Sequence, residues 1–163
     1  MNKKNKRKNK NNDPPPKKTK IVLPEIHENR LVFSFCGFDF DPDLITKKLD
    51  LEPSLTERKG EKYFFGYPEQ IEKIHYCNYW KLEWKNKSGD SIDDMIDKFF
   101  KEIIIPRKSL IKEIGINCNI ITLFIGQDYY AEGGISMYSF TREQVKILAE
   151  LNAEIATEIY YDY

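Results

Sequence analysis

The sequence predicts an α+β domain, a two-layer sandwich whose mixed, mostly antiparallel sheet carries its helices on one side. Three observations lead to that reading. Residues 78–85, "NYWKLEWK", alternate with period two: Trp80, Leu82 and Trp84 fall on one face and Tyr79, Lys81, Glu83 and Lys85 on the other, the pattern of a strand covered on one side only. Ile92, Met95, Ile96, Phe99, Phe100 and Ile103 recur at the spacing of one apolar helix face. The order of segments, β-α-β-β-α-α-β-β-α-β, fits a two-layer domain.

The chain opens on residues 1–22, a basic tail. Residues 1–20 hold nine of the 26 Lys and Arg but one of the 26 Asp and Glu, with a triple proline and almost no apolar side chains. Such a segment cannot offset its ordering entropy by burial and is expected to be disordered. It lacks the apolar stretch of a signal peptide, and no segment approaches the roughly 20 apolar residues of a membrane span. Residues 21–163 are left with 17 basic and 25 acidic residues, a net of −8 against +8 in the tail. That charge has the wrong sign for phosphate, so nucleic acid is set aside except for weak attraction to the tail.

The chain is 40% apolar, and residues 23–163 are expected to form one domain around one core. Leu31–Cys36, a short apolar run bounded by Gly37, predicts a buried strand. Asp39 or Asp41 at an N-cap and Pro42 in the first turn predict a helix with Leu44, Ile45 and Leu49 inward, stopped by Pro53. Glu61–Tyr67, rich in aromatics, predicts a second strand, and Pro68–Cys77 a variable loop before the strand at 78–85. Ser91 with Asp94 caps the long helix, and a separate short helix is expected from Pro106 to Gly115.

Cys118–Ile125, apolar on both faces, predicts a central strand, with Gly134–Phe140 as its neighbour. Thr141–Gln144 is a capping box opening a helix with Val145, Leu148, Ala149 and Asn152 inward and Ile147 and Leu151 alongside. A strand follows from Glu154. Shifted by 102 positions, Phe33, Ser34, Phe35, Phe38, Ile45, Leu49 and Glu52 fall on Ile135, Ser136, Met137, Phe140, Ile147, Leu151 and Glu154, an echo that predicts duplication of a β-α unit.

No catalytic constellation stands out. His27 and His75 sit in no metal-ligand spacing, and neither a nucleophile elbow nor a phosphate-cradling glycine loop occurs, so no metal and no cofactor are expected. Three cysteines, an odd number in apolar surroundings, do not read as a disulfide framework and point to a reducing cytoplasm; Cys36 and Cys118 read as small core hydrophobes and Cys77 as exposed. Asp39, Asp41 and Asp43 read chiefly as helix-start carboxylates, and Arg58-Lys59 as a polar turn that also has the charge to position an anion. Trp80, at strand spacing, reads as core before stacking platform.

Three segments carry a resemblance: "CGFDFDPDLITKKLDLEPSLTERKGE", "YWKLEW" and "ISMYSFTREQVKILAELNAEIATEIYYD". Together they resemble the bacterial domain-of-unknown-function family 4279 over roughly residues 31–161, with Asp50 standing where that family's pattern has a helix-ending Gly. The resemblance implies a small cytoplasmic bacterial domain and brings no catalytic residues with it.

The expectation is therefore a non-enzymatic module that binds a protein partner, an immunity-type protein neutralising a basic toxin being one form of it. The acidic body and ten tyrosines support that reading. The residues expected to contact a ligand or partner are Asp39, Asp41, Arg58, Lys59 and Trp80, with Tyr129, Tyr130, Tyr160 and Tyr161 at loop and terminal positions. The alternative is a small-ligand binder or enzyme built on the Asp39/Asp41 and Arg58/Lys59 region.

Overall fold

The computed structural model describes residues 25–87, 91–130 and 137–162, with side chains described for 29–85, 91–127 and 137–159. The basic tail and Tyr163 lie outside the described residues. Among the described residues there are seven strands: β1 Glu25–Cys36, β2 Leu55–Glu57, β3 Lys62–Phe65, β4 Ile71–Ile74, β5 Tyr79–Lys87, β6 Ile120–Tyr130 and β7 Ala153–Asp162. The helices are α1 Asp43–Leu49, α2 Ile92–Phe99, α3 Ile105–Gly115 and α4 Arg142–Glu150, with a π-helical segment, Phe100–Ile104, fusing α2 and α3 into one rod.

The main sheet has the order β2-β5-β1-β6-β7. β1 runs antiparallel to both β5 and β6, β2 antiparallel to β5, and β7 parallel to β6. From β1 through β6, leaving out the β3–β4 hairpin, this is the split β-α-β-β-α-β arrangement, extended at one edge by the parallel β6-α4-β7 unit. The expected α+β, mostly antiparallel architecture is what the chain adopts.

Alternation decides which face each strand buries. Leu31, Phe33 and Phe35 of β1, Trp80 of β5, and Ile121, Leu123 and Ile125 of β6 join one cluster with the apolar stripes of every helix, so the helices lie on one face. Phe35 meets Trp80 edge-on at 5.7 Å, and Phe99 packs against Phe33 at 6.4 Å and Trp84 at 5.5 Å. On the other face Arg30 stands over the Phe124 ring at 5.9 Å, and Val32 and Ser34 are shaded by their neighbours.

Several expectations change at the level of elements. Pro106 does not start a separate helix. The backbone N–H of Ile105 bonds Phe100 O, an i→i−5 bond that widens the helix just before the proline, and the buried stripe slips by one residue from Ile103 to Ile104 and on to Ile111 and Ile114. The Glu102 carbonyl that Pro106 cannot bond receives Arg107 Nη1–H at 2.9 Å, while Arg107 Nε–H donates to Leu49 O at the end of α1 at 2.7 Å.

In α4 the capping box is present, yet the inward stripe is Gln144, Ile147, Leu148 and Leu151, with Val145, Ala149 and Asn152 outward. The turn is set by Gln144, whose Oε1 accepts the Thr141 N–H at 2.7 Å and whose Nε2–H donates to Asp97 at 2.7 Å. In α1 Leu44 likewise faces outward, leaving Ile45 and Leu49 as the buried pair. Of the strand expected at Gly134–Phe140, residues 134–136 lie outside the described residues and Met137–Phe140 is irregular: Ser139 N–H bonds Asp93 Oδ1 at 2.8 Å instead of a ladder partner. The strand half of the 102-residue echo therefore does not hold at Met137–Phe140. The helix half has matching features, since Ile45 and Leu49 are buried like Ile147 and Leu151, and Asp50 and Asn152 both adopt φ +52°.

Candidate functional site

Between β2 and β5 the chain leaves the main sheet and builds a hairpin of its own. β3 and β4 pair antiparallel, Lys62 opposite Ile74 and Phe65 opposite Ile71, and pair with no strand of the five-stranded sheet among the described residues. The sequence supplies no apolar-in, polar-out rule here. Period two puts Phe64 and Ile74 on one face and Phe65 and Ile71 on the other, so apolar side chains point both ways. All four are 59–63% exposed, and Tyr67 and Tyr76 extend the exposed run. Lys62 pairs with Glu72 at 3.0 Å and the Lys73 ammonium stands 4.5 Å from the Phe65 ring centre, which covers part of this surface with methylene chains.

The root of this arm is well fixed. Gly60 N–H donates to His75 O and His75 N–H to Glu61 O, both at 2.9 Å. The Tyr63 ring stacks on the His75 imidazole at 4.3 Å, and Glu57 Oε2 holds His75 Nδ1 at 3.1 Å. Glu57, Tyr63 and His75 line a cleft of about 290 Å³ together with Cys36, Tyr76, Cys77 and Tyr79. Its two thiols touch, Cys36 Sγ to Cys77 Sγ at 3.2 Å. Burial above all, then the Cys77 contact and the Glu57 charge, pushes the Cys36 thiol up to about 11, the opposite of what an activated nucleophile requires. Burial also raises Tyr79, and the neighbouring thiols raise Tyr76.

The residues singled out from sequence divide into three groups. Asp41, Arg58 and Lys59 meet at one surface corner. Arg58 Nη2–H reaches Asp41 at 3.2 Å and Asp43 at 2.9 Å, Asp41 also accepts the Asp43 N–H at 2.9 Å, and Asp39 stays exposed nearby in sequence. The Asp43 N–H first and the Arg58 charge second hold the Asp41 carboxyl below its ordinary value. Asn78 ties this corner together: its Nδ2–H donates to Phe38 O at 2.8 Å and Phe40 O at 3.0 Å, while its Oδ1 accepts the Lys59 N–H at 2.8 Å.

Trp80 leaves the set of contact residues. It is 0% exposed, packed on Phe35, with Nε1–H donating to Thr46 Oγ1 at 3.0 Å, so it is core and cannot meet a partner. The tyrosines do not sit in loops: Tyr129 and Tyr130 end β6, and Tyr160 and Tyr161 end β7, with Tyr129 opposite Tyr161. Their side chains lie outside the described residues. Nothing local in the sequence points to the thiol pair or the Glu57–His75 contact. Their members are far apart in sequence, and the one available signal was the unbroken aromatic run Tyr63–Phe65, too apolar on both faces for a half-covered sheet.

The family model described as "Domain of unknown function (DUF4279)" matches residues 25–162. The chain belongs to this family. Neither the curated proteins nor the solved structures yield a match to it. The family's description assigns no activity. Among the described residues no helix is long and apolar enough to cross a membrane, and no group of three or more His, Cys, Asp or Glu is arranged to hold a metal.

Proposed function

We propose that this DUF4279 chain is a protein-binding module that engages a basic protein partner through the β3–β4 arm. The observation that carries the reading is the arm itself, a rooted hairpin exposing Phe64, Phe65, Ile71 and Ile74 on both faces. Exposed apolar side chains flanked by Lys62, Glu72 and Lys73 have the composition of an interface core with a polar rim. Removing such side chains from water is worth roughly 1.5–3 kcal/mol each, the scale of interface hot spots. The net charge of −8 over residues 21–163 favours a partner of opposite sign and speeds encounter with it. A basic toxin held inactive by the chain is one partner of that chemistry. Arg58, already engaged by Asp41 and Asp43, gives the alternative site at that corner little support.

A second reading rests on the cleft, where Glu57 orients His75 beside three tyrosines in a volume suited to a small ligand. Capture from source-cell lysate by the tagged full chain, beside a Phe64→Ser/Phe65→Ser variant and at two salt concentrations, separates these readings. The arm reading expects a protein bound by the wild type, weakened at high salt and lost in the variant. Capture indifferent to the variant contradicts it, and a copurifying small molecule without any protein favours the cleft.

A further inference from the structure

We propose that Cys36 and Cys77 form a reversible dithiol–disulfide site that reacts with low-molecular-weight disulfides of the glutathione type. The inference stands apart from the arm's partner and rests on the cleft's thiols. Cys36 ends β1, and Cys77 lies in the connection from β4 to β5, yet their sulfurs are 3.2 Å apart. A disulfide needs about 2.05 Å, so the two sulfurs must approach by roughly 1 Å for the bond to form.

The backbone on both sides is already held in register. Gly37 N–H bonds Asn78 O at 3.0 Å, Asn78 clamps Phe38 and Phe40, and β1 pairs with β5 from Cys36 opposite Tyr79 onward. Gly37 has φ +73°, and a Cβ there would come within 2.4 Å of Asn119, so this corner accepts little rearrangement. Both sulfur-bearing residues line one cleft, which gives a small reagent access to the pair. Cys118 differs: its Sγ–H donates to Ile114 O at 3.4 Å at the end of α3.

The chemistry balances as two exchanges. Cys77 thiolate attacks one sulfur of the small disulfide, whose S–S bond breaks and releases one thiolate. A mixed disulfide forms on Cys77. Cys36, held protonated by burial and by its contact with Cys77, acts as the resolving thiol. On losing its proton it attacks Cys77 Sγ and expels the second thiolate. The pair loses two electrons and two protons, the small disulfide is reduced to two thiols, and the protons go to the released thiolates. The bond closes the segment holding α1, β2 and the arm, and ties the arm's root to the end of β1.

The test equilibrates the full chain with reduced and oxidised glutathione at graded ratios, alkylates the free thiols, and reads intact mass and linked peptides. The proposal expects two thiols to disappear together, a Cys36–Cys77 peptide, a chain lighter by two hydrogens with no glutathione retained, and Cys118 alkylated throughout. Three alkylated thiols at every ratio would overturn it. So would accumulation of glutathione on Cys77 with Cys36 still free. A Cys36→Ser variant, checked for native circular dichroism, is expected to retain glutathione on Cys77, and the wild-type peptide map decides the question even if that variant does not fold.

Discussion

Asp50 shows how a single residue carries a helix end. It follows α1 with φ and ψ both at +52°, a left-handed conformation that costs an L-residue a clash between Cβ and the backbone and that Asp tolerates better than most. Asn152 takes the same positive φ after α4. Replacing Asp50 with Gly removes the Cβ at a position whose backbone already suits glycine. We expect Asp50→Gly to raise stability by about 0.5–1 kcal/mol in urea denaturation; a loss would show that the carboxylate has a role beyond the turn. The thiols make a second residue-scale prediction. Cys36 and Cys118 are each raised from 9.0 to about 11, burial being the first cause in both. A folded-state pKa above the unfolded value means that the native state holds its protons longer. The associated stability is complete below pH 9 and is lost as pH climbs through about 11. Thermal midpoints across that window should fall, and less steeply in Cys118→Ala; a flat profile contradicts the burial of both thiols.

At the scale of elements, what was legible depended on whether a segment's own side chains decide its structure. The alternating β5, the stripe of α2 and the Thr141–Gln144 capping box were all visible because local period and local hydrogen bonds suffice there. The site is less legible: the Asp41 and Arg58 charges stand out in the sequence, but the arm and the thiol pair arise from tertiary contacts. β4 lay in a segment that reads as a loop, since Ile71–Ile74 buries nothing against the main sheet. The fusion of α2 and α3 is hidden because Pro106 ordinarily marks a helix start, and Arg107, bonding both Glu102 O and Leu49 O, supplies a donor for the carbonyl that the proline leaves unpaired. Losing those two charge-assisted bonds should cost about 1.5–3 kcal/mol in Arg107→Ala. Lys at 107 cannot serve both carbonyls in the planar geometry of a guanidinium and should recover only part. An alanine variant as stable as the wild type would mean that the π segment persists without them.

For the whole molecule the organising feature is a division of labour. One face of the five-stranded sheet and three helical rods build the core, while the β3–β4 arm contributes its apolar side chains to solvent. Exposing Phe64, Phe65, Ile71 and Ile74 brings no stability to the fold and adds a liability to aggregation, a cost that the proposed binding role would explain. Hydrogen–deuterium exchange on the full chain, alone and bound to a protein recovered in the capture experiment, tests the proposed binding role most directly. Amides of residues 62–74 are expected to slow in the complex while those of the core strands stay as they were. Unchanged exchange in the arm, with protection appearing instead on the helices or on the open face of the sheet, would contradict it.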